Sequence, residues 1–246
     1  IWDYYKDNKR VMPWRKKITP YRVFVSEVML QQTQVARVME KFPQLIKLFP
    51  NFKVLTDAPL QSVLSVWQGM GYNRRALYLK KAAEAVMRDH SGRLPKNSDE
   101  LEKLAGIGPA TARSISAFAW NSPEIFIETN IRGVFLYHFF PNQAGITDKQ
   151  LLPFVEAALD RENSREWYYA LMDYGAMLKR KNKNPSRASA HHSKQSVFKG
   201  SLREMRGKII KILSGSGSFT DAALARCTTE PAVKIKTALI GLIRDG

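Results

Sequence analysis

Leu101-Glu102-Lys103-Leu104-Ala105-Gly106-Ile107-Gly108-Pro109-Ala110-Thr111-Ala112-Arg113 reads as two apolar helical segments joined by a glycine hairpin. Glycine permits the left-handed or strained dihedrals of a tight reversal, and it has no side chain to hold a phosphate away. Pro109 suits the first turn of the following helix, where its missing N–H costs nothing. The positive end of that helix then faces whatever approaches the loop, while Ile107 tucks back into the core. Further along, Ile127-Glu128-Thr129-Asn130-Ile131-Arg132 sets one carboxylate beside polar residues in an apolar surrounding, a placement that suits a developing cation. Together the two stretches point to DNA and to cleavage of a glycosidic bond.

The chain has 246 residues, enough for a real core in one or two domains. A net charge of +17 and a pI near 10.0 make a polyanionic partner the leading inference. Charge by itself does not separate DNA from RNA or from an anionic membrane. No apolar run approaches the roughly 20 residues of a spanning helix and no signal-peptide pattern opens the chain, so no membrane partner is expected. Cys227 is the sole cysteine. It can form neither an internal disulfide nor a metal cluster by itself, which fits a reducing compartment.

Helical spacing dominates, so the expected class is all-α. Leu55, Leu60, Val63, Leu64 and Trp67 recur at three and four, as do Leu77, Leu79, Ala82, Ala83 and Val86. Asp57-Ala58-Pro59 and Asn97-Ser98-Asp99-Glu100 look like helix starts. The run Val23–Leu30 has strand-like β-branched residues but is read as a buried helix, because its neighbours are helical. From Lys179 to Lys199 the apolar pattern disappears among unbalanced cations, which suits a solvated linker or a strap that tracks phosphates. Beyond it, helices over Leu202–Leu213, Phe219–Arg226 and Pro231–Ile243 are expected, with a flexible loop at Ser214–Ser218. They resemble a winged-helix module cut off before its wing, or a plain helical tail.

The sequence resembles the helix-hairpin-helix DNA glycosylases, the superfamily of endonuclease III and the MutY adenine glycosylases. The resemblance runs from about Tyr5 to Leu178. It is carried by Pro13-Trp14-Arg15, by Val25-Ser26-Glu27-Val28-Met29-Leu30-Gln31-Gln32-Thr33-Gln34-Val35 and by Trp67-Gln68-Gly69-Met70-Gly71-Tyr72. The hairpin and Ala170-Leu171-Met172-Asp173-Tyr174-Gly175-Ala176 complete it. The Ser-Glu-Val-Met-Leu-Gln-Gln-Thr string is close to diagnostic of the MutY branch. The resemblance implies a two-lobed fold: residues 1–20 with 121–200 as a terminal lobe without an iron–sulfur cluster, and 21–120 as a helical barrel lobe carrying the hairpin. Residues 201–246 would be the winged-helix-like or helical tail.

It also implies roles. Glu27 takes the place of the catalytic acid that protonates the leaving base, a role that needs a carboxyl held protonated near neutral pH. Glu128 takes the place of the carboxylate that supports the cationic sugar; the family has an aspartate there, and an added methylene must be absorbed. Ala110 stands where bifunctional relatives carry a Schiff-base lysine, so strand cleavage is not expected. Gln31, Gln32 and Tyr72 match residues that probe or wedge the stack beside a flipped base. Thr33, Met70, Arg74, Gly106, Ile107, Gly108, Ala110, Thr111, Lys179, Arg180 and Lys181 are the further DNA-binding candidates. Arg15, Asn130 and Tyr169 are expected at the base pocket.

The chain departs from the family in three places. Leu178-Lys179-Arg180-Lys181 follows where relatives begin the four cysteines of an iron–sulfur cluster, so no cluster is expected, although a monovalent cation could sit at the hairpin. His191-His192 does not replace those thiolates. Tyr169 stands where the MutY branch places its adenine-reading glutamate, and Asn73-Arg74-Arg75 is not the MutY pattern. The expected function is a monofunctional glycosylase acting on double-stranded DNA with a mispaired or damaged base, adenine opposite guanine or 8-oxoguanine first. Thymine, uracil or hypoxanthine excision, and non-catalytic lesion binding, stay open. A monomer is expected, in the cytoplasm of a prokaryote or the nucleus of a eukaryote, and with no metal.

Overall fold

The structure is a computed structural model that describes residues 1–246 except 182, 183, 193–196, 217, 218, 229 and 246. Among the described residues fifteen α-helices form and no strand does. The first seven are α1 Trp2–Asn8, α2 Pro13–Lys16, α3 Pro20–Leu30, α4 Val35–Leu48, α5 Phe52–Asp57, α6 Leu60–Trp67 and α7 Arg74–Asp89. They are followed by α8 Ser98–Glu102, α9 Pro109–Trp120, α10 Thr129–Phe139, α11 Asp148–Ala157 and α12 Ser164–Lys181. The last three are α13 Leu202–Ser216, α14 Asp221–Thr228 and α15 Ala232–Asp245.

Local chemistry sets many of these boundaries. The Asn51 and Asn97 side chains accept the Val54 and Asp99 backbone N–H groups at the starts of α5 and α8. Thr147 and Gln150 form a reciprocal capping box at α11. The ambiguous Val23–Leu30 run lies in α3, where Val23, Phe24, Val25, Val28 and Met29 are all buried. A helix buried on several faces tolerates β-branched residues, because packing outweighs their modest propensity penalty.

The chain forms two compact units, 1–27 with 95–103 and 107–194, and 28–94 with 104–106 and 195–246. This division differs from the expected boundaries at 20/21, 120/121 and 200/201. The second hairpin helix, α9, groups with the first unit because its aromatic face is committed there. Phe118 stacks on Tyr169 at 4.8 Å and meets Phe126 and Tyr168 edge-on. The tail belongs to the second unit, although Met205, Ile209, Leu224, Ile235 and Ala238 give it a small core of its own.

Two expected irregular stretches are more ordered than their composition implies. Helix α13 continues through Ser214-Gly215-Ser216, where a flexible loop was expected; 217 and 218 lie outside the described residues. In the cationic stretch, 184–192 folds onto the first unit through a 3-10 turn at Pro185–Ala188. Its Ser186 Oγ donates to the Thr129 carbonyl, and backbone bonds join Ala188 and Ala190 to Gly145 and Ile146. That part is therefore no solvated linker, while Lys183 and Lys194 of the proposed strap lie outside the described residues.

Candidate active site and nucleic-acid interface

Glu27 sits near the C-terminal end of α3, partly buried between Ser26 and Val28. Ser114 Oγ of α9 lies 2.6 Å from Glu27 Oε2 and 2.9 Å from the Thr111 carbonyl. A hydroxyl has one proton, so it donates to Glu27 when that group is ionised. When Glu27 is protonated, the hydroxyl can donate to Thr111 and accept the acid proton. Burial pushes the Glu27 carboxyl up to about 7; the charge of Glu128 adds to the rise, while Ser114 and Arg15 oppose it. That shift is in the direction a proton-donating carboxyl needs.

Glu128 is the N-cap of α10. Its Oε1 accepts the Asn130 and Ile131 backbone N–H groups at 2.8 and 3.0 Å, and its Oε2 accepts Asn130 Nδ2 at 3.2 Å. The extra methylene is absorbed by this curl onto the helix end. Burial raises the Glu128 carboxyl above its ordinary range, while the three N–H donors and the Arg132 charge pull it back. Glu128 thus has the donors to hold a charge beside Glu27, which has one hydroxyl. Asn130 reaches this position because α12 has Gly175 opposite: a Cβ there would lie 2.5 Å from the Asn130 carbonyl oxygen.

Arg15 and Tyr169 form a wall near the carboxyls rather than an open platform. Asp173, 1 % exposed, takes both terminal nitrogens of Arg15 at 2.9 and 3.0 Å. It also takes the Arg10 backbone N–H at 2.9 Å and Nε at 2.6 Å. The Arg15 guanidinium then lies 4.1 Å from the centre of the Tyr169 ring, whose neighbour is Phe118. Tyr169 is buried and already stacked, which corrects the expectation of a ring available to a base. Arg15 Nε is buried without an acceptor among the described residues.

In the second unit, Gly106 has φ +77°, and a Cβ on it would lie 2.8 Å from Tyr78. Both facts require glycine there. Gln31 Nε2 donates to the Gly106 carbonyl at 3.1 Å, so this candidate probe braces the hairpin. Gly108, at the N-cap of α9, has an ordinary φ of −95° and open space around its missing side chain. Its value is access to the backbone amides, not conformational freedom.

Gln32 and Tyr72 are exposed non-glycine residues with φ of +51° and +49°, a local strain on the order of 1 kcal/mol each. Buried Arg75 holds the loops that carry them. Its Nη1 donates to the Val28 and Met29 carbonyls, and its Nη2 to Thr33 Oγ1 and the Gly71 carbonyl. Burial lowers the Arg75 guanidinium to about 10. Arg74, Ala110, Lys179, Arg180 and Lys181 are exposed, and Thr111 is half-buried. Met70 and Ile107 are buried, so they can meet a ligand only through backbone groups, not as contacting side chains.

The chain matches the HhH-GPD superfamily of base excision DNA repair proteins over residues 25–166. The chain belongs to that superfamily. This HhH-GPD protein is 34% identical over 176 residues to an adenine DNA glycosylase of Buchnera aphidicola subsp. Baizongia pistaciae. That match covers 71% of this chain and 50% of the relative. The chain thus spans about half the length of the curated relatives it matches. A thermostable thymine-DNA glycosylase has the same fold, with a TM-score of 0.64 and 23% identity over 74% of this chain and 86% of that one. Endonuclease III in a non-covalent DNA complex gives 0.59 and 18% over 70% and 80%.

The iron–sulfur cluster of some HhH-GPD proteins does not fit these residues. Helix α12 leaves the site with Leu178, Lys179, Arg180 and Lys181, and Cys227 lies alone and exposed on α14. Sequence reasoning on this HhH-GPD chain missed Ser114, Arg75, Asp173 and Arg10. Asp173 and Arg75 stood inside or beside quoted motifs, so a buried-charge reading could have found them. Ser114 carries no such signal, since a serine inside a helix usually bonds its own backbone.

Proposed function

We propose that this protein is a monofunctional base-excision DNA glycosylase that hydrolyses the N-glycosidic bond of a mispaired base. Adenine opposite guanine or 8-oxoguanine is the first substrate to expect. The observation that carries this reading is the pair of unlike carboxyls: Glu27 near 7 on one hydroxyl, and Glu128 clasped by three N–H donors. The adenine assignment draws on the name of the Buchnera relative. The likeness to a DNA-bound endonuclease III fold supports double-stranded DNA as the partner.

In this mechanism the exposed amides at Gly108 grip a phosphate, and Tyr72 and Gln32 fill the stack beside the extruded nucleotide. Protonated Glu27 gives its proton to a ring nitrogen of the base. The electron pair of the C1′–N bond leaves with the base, and the positive charge left on the sugar faces ionised Glu128. Water then adds to C1′ and returns a proton to Glu27, leaving an abasic site. Ala110 supplies no amine, so no Schiff base forms, and no iron–sulfur cluster takes part.

The test is a panel of duplex oligonucleotides presenting each mismatch and common lesion, followed by hot alkali. Strand breaks at adenine opposite guanine or 8-oxoguanine are expected, with none for Glu27→Gln. Breaks only at thymine, uracil or hypoxanthine would overturn the adenine assignment. Binding without any break would overturn the enzyme. Borohydride should trap no covalent adduct.

A further inference from the structure

Helix α13 packs on the 28–94 segment of its own unit, where it lies against α6 and Gln61 Nε2 donates to the Ser214 carbonyl at 3.0 Å. Buried Met205 and Ile209 seat the same helix on the small core of the tail. Its first turn is capped: the Glu204 N–H donates to Ser201 Oγ at 3.3 Å, and the Glu204 carboxylate accepts the Gly200 N–H at 2.6 Å. From this fixed turn Arg203 reaches Tyr72. Its Nη1 donates to the Tyr72 hydroxyl at 2.8 Å, and its guanidinium carbon lies 5.6 Å from the ring centre. The backbone under Tyr72 is held separately. Gly69, Gly71 and Tyr72 have φ of +85°, +71° and +49°. The Gly71 carbonyl accepts from Trp67 Nε1 at 3.2 Å and from Arg75 Nη2 at 3.0 Å, and the Tyr72 carbonyl accepts the Arg75 N–H at 2.9 Å. The loop thus sets where Tyr72 starts, and Arg203 of the tail sets where its ring ends.

We propose that Arg203 is a specificity-determining residue, by which the tail clasps Tyr72 and holds its ring back from any base step that is not already weakened. The inference rests on reading Tyr72 as the residue that enters the stack. A ring that does so presents its hydroxyl tip and its faces to bases. Here the tip is bonded to Arg203, so the clasp belongs to the state before insertion. A guanidinium that followed the ring between base pairs would give up water without meeting an opposite charge, so the clasp opens as the ring enters. Opening costs the same at every step of the duplex. That cost matters most where insertion is marginal, which is at sound, matched pairs; at a mismatch the weaker stack still yields.

The test uses the full chain at saturating concentration, in a Glu27→Gln background so that no base is removed. Fluorescence of 2-aminopurine, which brightens when unstacked, is read in a matched duplex and in duplexes where it neighbours an adenine–guanine or a thymine–guanine mismatch. Arg203→Met keeps the side-chain stem and removes the donor and the charge. It should raise the matched signal about tenfold and the mismatched signal less than about twofold, since a hydrogen bond to a charged group is lost where insertion is rare. Tyr72→Phe, which keeps the ring, should raise the matched signal similarly, and joining it to Arg203→Met should add less than about twofold more. Tyr72→Ala should remove the signal from every duplex. A matched signal that Arg203→Met leaves unchanged or lowers would overturn the clasp, and a mismatch signal still lost in Tyr72→Ala would then leave the wedge reading standing. A rise with Arg203→Met that persists when Tyr72 is alanine would also overturn the clasp. A parent that brightens no duplex, or a Tyr72→Ala variant that brightens the mismatches as the parent does, would overturn the wedge reading and the clasp together.

Discussion

At the scale of single residues, the two carboxyls differ because their donors differ. Glu128 spends a helix N-terminus on holding its charge, while Glu27 is left with one serine hydroxyl in a buried setting. Removing that hydroxyl takes away a bond to the ionised form. Ser114→Ala should therefore move the descending limb of the kcat–pH profile from near 7 upward by about one unit. Ser114→Thr should keep the limb in place, and a limb unmoved in the alanine variant would deny Ser114 this role. Stability carries the same sign. The folded chain keeps the Glu27 proton up to about 7, whereas the unfolded chain releases it near 4.5. Stability is thus lost as pH rises through that window, by on the order of 2–3 kcal/mol, and is flat above it. Glu27→Gln should abolish excision yet melt several degrees higher than the parent at pH 8, with no gain at pH 4; thermal melts at both pH values check it. Glu27 was legible in the sequence because its string is distinctive. Ser114 was not, because its partner lies 87 positions away.

At the scale of elements, the close packing of α10 on α12 governs where Glu128 stands. Gly175→Ala would set a methyl against the Asn130 carbonyl and should cost about 1–3 kcal/mol. It should also lower excision more than tenfold, because Asn130 supplies two of the three Glu128 donors. Gly207→Ala in α13 meets nothing within 4 Å and should instead raise Tm slightly, since a mid-helix glycine costs about 1 kcal/mol against alanine. Calorimetry of the two variants separates these directions. The helices and the hairpin were readable from period and punctuation, including α3 despite its β-branched run. The unit boundary was not, because it depends on which aromatic face Phe118 chooses, and nothing local to α9 records that choice. The order in 184–192 was hidden for a similar reason: Ser186 is held by the end of α10, not by an apolar pattern of its own.

At the scale of the molecule, charge is the property that composition revealed best. The chain carries +17, and the exposed Lys179-Arg180-Lys181 end of α12 is one place where that charge reaches solvent. Neutralising all three should flatten the slope of binding against salt by up to about three and leave the pH profile of excision unmoved. Titrations in a salt series, beside single-turnover rates, would show whether affinity and chemistry separate in this way.

The Asp173 clasp has a consequence for how the chain is made. The carboxylate that fixes Arg10 and Arg15 is synthesised more than 150 residues after them. Residues 28–94 can meanwhile close helices on near neighbours in sequence. The segment that carries Arg10 and Arg15 is thus seated only after α12 is made, and a nascent chain stopped short of α12 would present two homeless arginines and a bare aromatic face.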